Sequence, residues 1–211
     1  MASPNVERQA AAVLRELERH GVLLETDARL PSLVALVAGG PVRGSWWGHP
    51  LGHTIFATGE ILHQDRDVLL VKLISGKATW IHRQLWPALL AVALSREAWQ
   101  MDELSRDARS LLDEVERDGE ARASGPVARE LETRLLARGE QAHTASGRHA
   151  KLLESWARWA ARLHVKPLAS AADGRRQLDE VLAALNTRFE GRGRLPWQQR
   201  TAGSSGRATT P

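Results

Sequence analysis

Two runs of β-branched and apolar residues, Val68–Ile74 and Lys77–His82, meet at Ser75-Gly76, and nothing else limits the possible folds of this chain as firmly. A two-residue Ser-Gly connection between such runs predicts a tight antiparallel hairpin, because glycine supplies the positive φ that twist-compatible turns require. With Ser75 and Gly76 as the loop, Ile74 faces Lys77, Lys72 faces Thr79 and Leu70 faces Ile81. One face is then expected to carry Lys72, Lys77, Thr79 and Arg83 beside Leu70 and Ile81. The other packs Leu69, Val71, Leu73 and Trp80.

Around this hairpin the chain reads as helix. Residues 5–19 repeat Val6, Ala10, Val13, Leu14 and Leu17 at three- and four-residue intervals, opened by Ser3-Pro4 and closed by Gly21. Residues 22–24 suit a short strand, and 30–37 a short helix broken by Gly39-Gly40-Pro41. Residues 50–64 predict a helix with Leu51, Ile55, Ile61 and Leu62 inward, and 84–95 a buried helix. Ser105 is placed to cap a helix that ends at Gly119. Further helices are expected over 124–137, 152–163 and 175–189, with 166–174 as linker. Two short strands are expected around a turn within 139–153.

Helix, turn, helix and two-stranded wing thus occur over 31–83 and again over 105–153. This order predicts a mainly α fold with small β-hairpins (α+β), containing winged-helix-like modules in a helical domain. The expected division is 1–100 for the first module with hairpin 68–82, 101–190 for the second, and 191–211 as a disordered arginine-containing tail.

Composition excludes several function classes. The chain has no cysteine, so disulfides, thiolate metal sites and cysteine nucleophiles are ruled out, in keeping with a reducing cytoplasm. No signal peptide pattern and no apolar run of membrane-spanning length is present, so a cytoplasmic protein without membrane contact is expected. The net charge of +4 comes entirely from the segment after residue 187, where five arginines stand against Glu190. The body is neutral. No P-loop, Rossmann glycine pattern or serine–histidine–acid order occurs, and no cofactor is implied.

The run GSWWGHP (44–50), then KLISGKATWIHRQLWPALL (72–90), then HTASGRH (143–149) with ESWARWA (154–160) resembles an uncharacterised family of small bacterial proteins, over roughly residues 30–163. Its organisation is also similar to winged-helix DNA-repair proteins of the alkyl-purine glycosylase type. The paired-glutamine catalytic motif of that family is missing here. The resemblance therefore implies a fold and transfers no catalytic residue.

The residues with chemistry to offer are few. Trp46 and Trp47 on a glycine-flanked loop suit stacking on unpaired bases, with Arg43 and His49 adding phosphate contacts; core packing is the competing role. His49 and His53 are four apart and Glu60 follows, but Pro50 and Gly52 intervene, which favours a turn-forming His49 over a metal site. Lys72, mid-strand among apolar residues, is a candidate Schiff-base nucleophile with Glu60 or Asp67 shuttling protons, and His53 is a further weak catalytic candidate; snorkelling to solvent is the plainer reading. Lys77, Arg83 and Arg148 suit phosphate contact from wing positions. The first reading is a DNA-binding protein of DNA repair or maintenance, through Arg43, Trp46, Trp47, His49, Lys72, Lys77, Arg83 and Arg148. The alternatives are a small enzyme, glycosylase/lyase-like or metal-dependent, using His49, His53, Glu60 or Lys72, and a module that buries a protein partner on its tryptophans.

Overall fold

A computed structural model gives the architecture and describes residues 3–123, 125–143 and 149–198. It is mainly α with two small antiparallel three-stranded sheets, an α+β arrangement. The first unit runs α1 (Pro4–His20), β1 (Val22–Leu24), α2 (Leu33–Ala38), α3 (Gly52–Gln64), β2 (Val68–Lys72) and β3 (Ala78–His82), with strand order β1-β3-β2. Then come α4 (Trp86–Ala93) and α5 (Ala98–Met101). The second unit is α6 (Arg106–Asp118), β4 (Glu120–Ala123), α7 (Gly125–Thr133), β5 (Arg138–His143) and β6 (His149–Glu154), with order β4-β6-β5. Helices α8 (Trp156–Leu163) and α9 (Ala171–Arg188) complete it. No helix among the described residues is long and apolar enough to cross a membrane.

Local chemistry sets most of the boundaries. Ser3, Ser32, Ser105, Ser155 and Ser170 each precede a helix and accept a hydrogen bond from the backbone N–H three residues on. Gly21, Gly39 and Gly119 close α1, α2 and α6 in the left-handed conformation. Where boundaries moved, a neighbouring element is the reason. Residues 152–154 belong to β6 rather than to a helix, because they pair with β4 and β5. Helix α7 stops at Thr133, since Arg138 onward pairs with β6. Helix α9 begins at Ala171 and includes Gly174, expected in the linker. A Cβ there would lie 2.5 Å from the Ala88 carbonyl oxygen, so the missing side chain lets α9 lie directly on α4.

The hairpin register differs from the expectation by one residue. Ser75 (φ 53°) and Gly76 (φ 67°) form the two-residue turn, and the Lys77 N–H donates to the Ile74 carbonyl at 3.0 Å. Leu73 then takes a helical backbone, and its N–H also meets Lys77, donating to that carbonyl at 3.2 Å. Two residues thus oppose one, a β-bulge that shifts the ladder below it. The observed pairs are Lys72 with Ala78, Val71 with Thr79, Leu70 with Trp80 and Leu69 with Ile81. A one-residue slip exchanges faces. Thr79 and Ile81 share a face with Leu69 and Val71, while Trp80 shares the other with Leu70 and Lys72.

This sheet separates two cores. Trp80, Leu23 and the partly buried Leu70 pack with Val13, Leu17, Val34, Ile55 and Leu62 of α1–α3. On the reverse side Val22, Leu24, Leu69, Val71 and Ile81 pack with Leu89 of α4, Trp159 of α8 and Leu182 of α9. Residues Ala78–Ile81 are buried at every position because both faces of the central strand are covered. A third core lies under the second sheet, around Leu112, Val115, Leu131 and Leu153. The expected disordered tail is corrected for residues 191–198. Leu195 is buried in the α4–α9 core, and the Trp197 indole N–H donates to Asp179 at 3.0 Å.

Candidate functional site

The GSWWGHP run forms a single compact turn ahead of α3. Residues Trp46–Gly48 make a 3-10 turn; the His49 N–H donates to the Trp46 carbonyl at 3.0 Å, and the Gly52 N–H to the His49 carbonyl at 2.8 Å. The His49 ring nitrogen Nδ1 accepts the Leu51 N–H at 3.1 Å, so His49 holds the turn rather than facing outward with His53. At Gly52 a Cβ would sit 3.0 Å from the Trp47 carbonyl oxygen; glycine there allows the turn to close against the helix.

This turn sorts the two tryptophans. Trp46 packs against the core of α1–α3, and Trp47 stacks on it with ring centroids 4.2 Å apart and planes at 21°. Trp47 is 65% exposed, and Phe56, one turn into α3, is 46% exposed with its ring 5.6 Å from Trp47. Leu51, expected inward, is exposed as well. Exposed His53 and Glu60 continue the outer face of α3. The result is an aromatic platform whose lower ring is fixed by the core and whose upper ring meets solvent.

The basic candidates are placed differently. Lys77 pairs with Asp27 at 2.8 Å, and Arg83 with Asp67 at 3.0 Å. They precede and follow β3, so strand rise separates them by roughly 20 Å. Lys72 is the last residue of β2. It neighbours Glu132, Lys151, Glu25 and Arg129 near the second unit, where burial pushes its ammonium pKa below the usual lysine value and Glu132 opposes that shift. Glu132 itself is buried and paired with Lys151. Arg43 is exposed and makes no hydrogen bond or ion pair among the described residues. Arg148 lies outside the described residues. The structure therefore gathers Trp46, Trp47 and His49 on one turn, with Arg43 just before it. It disperses Lys72, Lys77 and Arg83 and brings neither His53 nor Glu60 to Lys72. Among the described residues no three histidine, aspartate or glutamate side chains are grouped to hold a metal ion.

No family model matches the chain, and no curated protein or solved structure matches it either.

Sequence reasoning missed Phe56 as a surface residue. It belongs to no inward stripe of α3, and its spacing from Ile55 and Leu62 already separates it from the buried face; that was the available signal. It also missed Asp27, which only the fold carries to Lys77, fifty positions away.

Proposed function

We propose that this protein is a winged-helix-like interaction module that docks a helical segment of a partner polypeptide on Trp47, Phe56 and Leu51. The observation that carries the reading is the exposed Trp47–Phe56 pair, stacked on an anchored Trp46. Exposed aromatic clusters of this kind are uncommon on free surfaces, and anchored rings lose little entropy on binding. The order helix–strand–helix–helix–strand–strand with β3 central supports the winged-helix-like label. The partner segment is amphipathic, with bulky apolar side chains at helical spacing. An acidic flank suits the unpaired Arg43 beside the turn.

Charge placement argues against making DNA the first reading. Lys77 and Arg83 are paired with carboxylates, and Lys72 turns toward the second unit. Duplex binding across the aromatic platform would need several cations gathered on one face, and these three are dispersed.

The experiment is a selection of displayed helical peptides against the full chain, counter-selected on the double variant Trp47→Ala, Phe56→Ala. Enriched peptides should share paired apolar positions and an acidic flank. They should bind with weak salt dependence and lose at least about tenfold in affinity to the double variant. Binding indifferent to both substitutions, or steeply salt-dependent binding of duplex or single-stranded DNA in its place, would overturn the reading.

A further inference from the structure

A second feature lies at the other end of the first hairpin. A depression of about 340 Å³ opens between the β1–α2 loop, the β2–β3 turn and the segment after α9. Its walls include Asp27, Arg29, Ser75, Lys77, Arg192 and Gly193. Three cations therefore face one carboxylate.

Both oxygens of that carboxylate are engaged. One Asp27 oxygen accepts the Arg29 and Leu30 backbone N–H groups, both at 2.9 Å, and the other accepts Lys77 Nζ at 2.8 Å. Asp27 thus aims Lys77 and leaves two of its ammonium N–H bonds open. Arg29 gives one guanidinium nitrogen to the Glu190 carbonyl at 2.9 Å, which holds the group in place with its remaining donors unused. Arg192 is exposed and has no hydrogen bond or ion pair among the described residues. The Ser75 oxygen accepts the Arg194 N–H at 3.2 Å, so its own hydroxyl proton remains to be donated. The walls are preformed: Asn186 brackets Gly193 with two hydrogen bonds, at 2.8 and 3.0 Å, and the Ser75 N–H donates to the Arg194 carbonyl at 2.7 Å.

We propose that this depression is a phosphate-binding site, in which Arg29, Lys77, Arg192 and the Ser75 hydroxyl hold the oxygens of one phosphate or diphosphate group. Guanidinium and ammonium donors around an anion make the stronger class of hydrogen bond, and planar guanidinium groups match the spacing of phosphate oxygens. The volume accommodates a small phosphorylated compound. The same chemistry would accept a backbone phosphate of nucleic acid. The site stands apart from Trp47 and Phe56 and does not depend on the role given to them.

The test uses the full chain and three probes: inorganic phosphate, inorganic pyrophosphate and a short DNA duplex, each titrated by calorimetry into wild type, Arg192→Ala, Arg192→Lys and Arg29→Gln. Pyrophosphate should bind more tightly than phosphate. Arg192→Ala should weaken it about tenfold with an unchanged melting temperature, and Arg192→Lys should lose less. Saturation by pyrophosphate and not by the duplex identifies a free phosphorylated ligand. Saturation by the duplex alone, with the same sensitivity to Arg192 and Arg29, identifies a nucleic-acid phosphate. Affinities indifferent to both arginines, or no binding of any probe, overturn the proposal. The Trp47→Ala, Phe56→Ala variant should keep full phosphate affinity, so the two sites succeed or fail separately.

Discussion

Ser75 and Arg194, 119 positions apart in sequence, hold each other by two hydrogen bonds: the Ser75 N–H donates to the Arg194 carbonyl at 2.7 Å, and the Arg194 N–H donates to the Ser75 oxygen at 3.2 Å. The tip of the first hairpin is therefore fastened to the segment after α9 rather than projecting freely. Leu195 follows directly and is 1% exposed.

A chain ending at Phe189 should accordingly be less stable than one ending at Gln198. Removing fully buried Leu195 alone forfeits about 1.5–3 kcal/mol of burial, and the Trp197 contact with Asp179 is lost as well. Thermal melts of the two chains should differ by several degrees. Superimposable melts would show that this segment contributes nothing to the fold.

Lys72 should be replaceable without loss. Its pKa is lowered mainly by desolvation, so the folded state binds the proton less readily than the unfolded one. Protonation at neutral pH therefore opposes folding. That penalty eases as pH climbs from the lowered folded value toward the ordinary lysine value of ~10.4. Lys72→Met keeps the stem and removes the charge, while Glu132 retains Lys151. The variant should melt at or above the wild-type temperature at pH 7, and the gap should narrow at alkaline pH. A drop of several degrees at pH 7 would mean that the ammonium is a net stabiliser.

Trp80 fills the core of α1–α3, and its indole N–H is buried without a hydrogen-bond partner. Trp80→Ala should cost ~3–5 kcal/mol. Trp80→Phe should cost clearly less, since it keeps an aromatic ring and removes the unsatisfied donor. Denaturant titration separates the two, and equal losses would refute the packing assigned to this ring.

Gly174→Ala ordinarily favours a helix by up to ~1 kcal/mol. Here it should destabilise, because the new methyl meets the Ala88 carbonyl at 2.5 Å and Val92 at 3.0 Å. Overpacking of this kind costs ~1–3 kcal/mol. A raised melting temperature would show that α9 can slide on α4.

The local features of this chain were legible in its residues. The capping serines, the closing glycines, the two-residue Ser75-Gly76 turn and the mainly α class with small hairpins all follow from interactions within a few positions. Periodicity failed where burial has two sides. Ala78–Ile81 shows no alternation because cores lie on both faces, and the turn alone sets Trp80 on the wrong one because the bulge at Leu73 leaves no local mark. Gly174 resembles a breaker in sequence and serves as a contact in space. The sites divide in the same way. The Trp46-Trp47 turn could be singled out from its composition, yet which ring is anchored and which exposed was decided by α3 and the core beneath it. The pairing of Lys77 with Asp27 and the approach of Arg192 depend on chain segments far apart in sequence. Sequence by itself determines which short stretches turn, cap and coil, because those energies are local. Tertiary structure alone decides which charges are spent on one another and which remain free to bind, because that depends on distances across the fold.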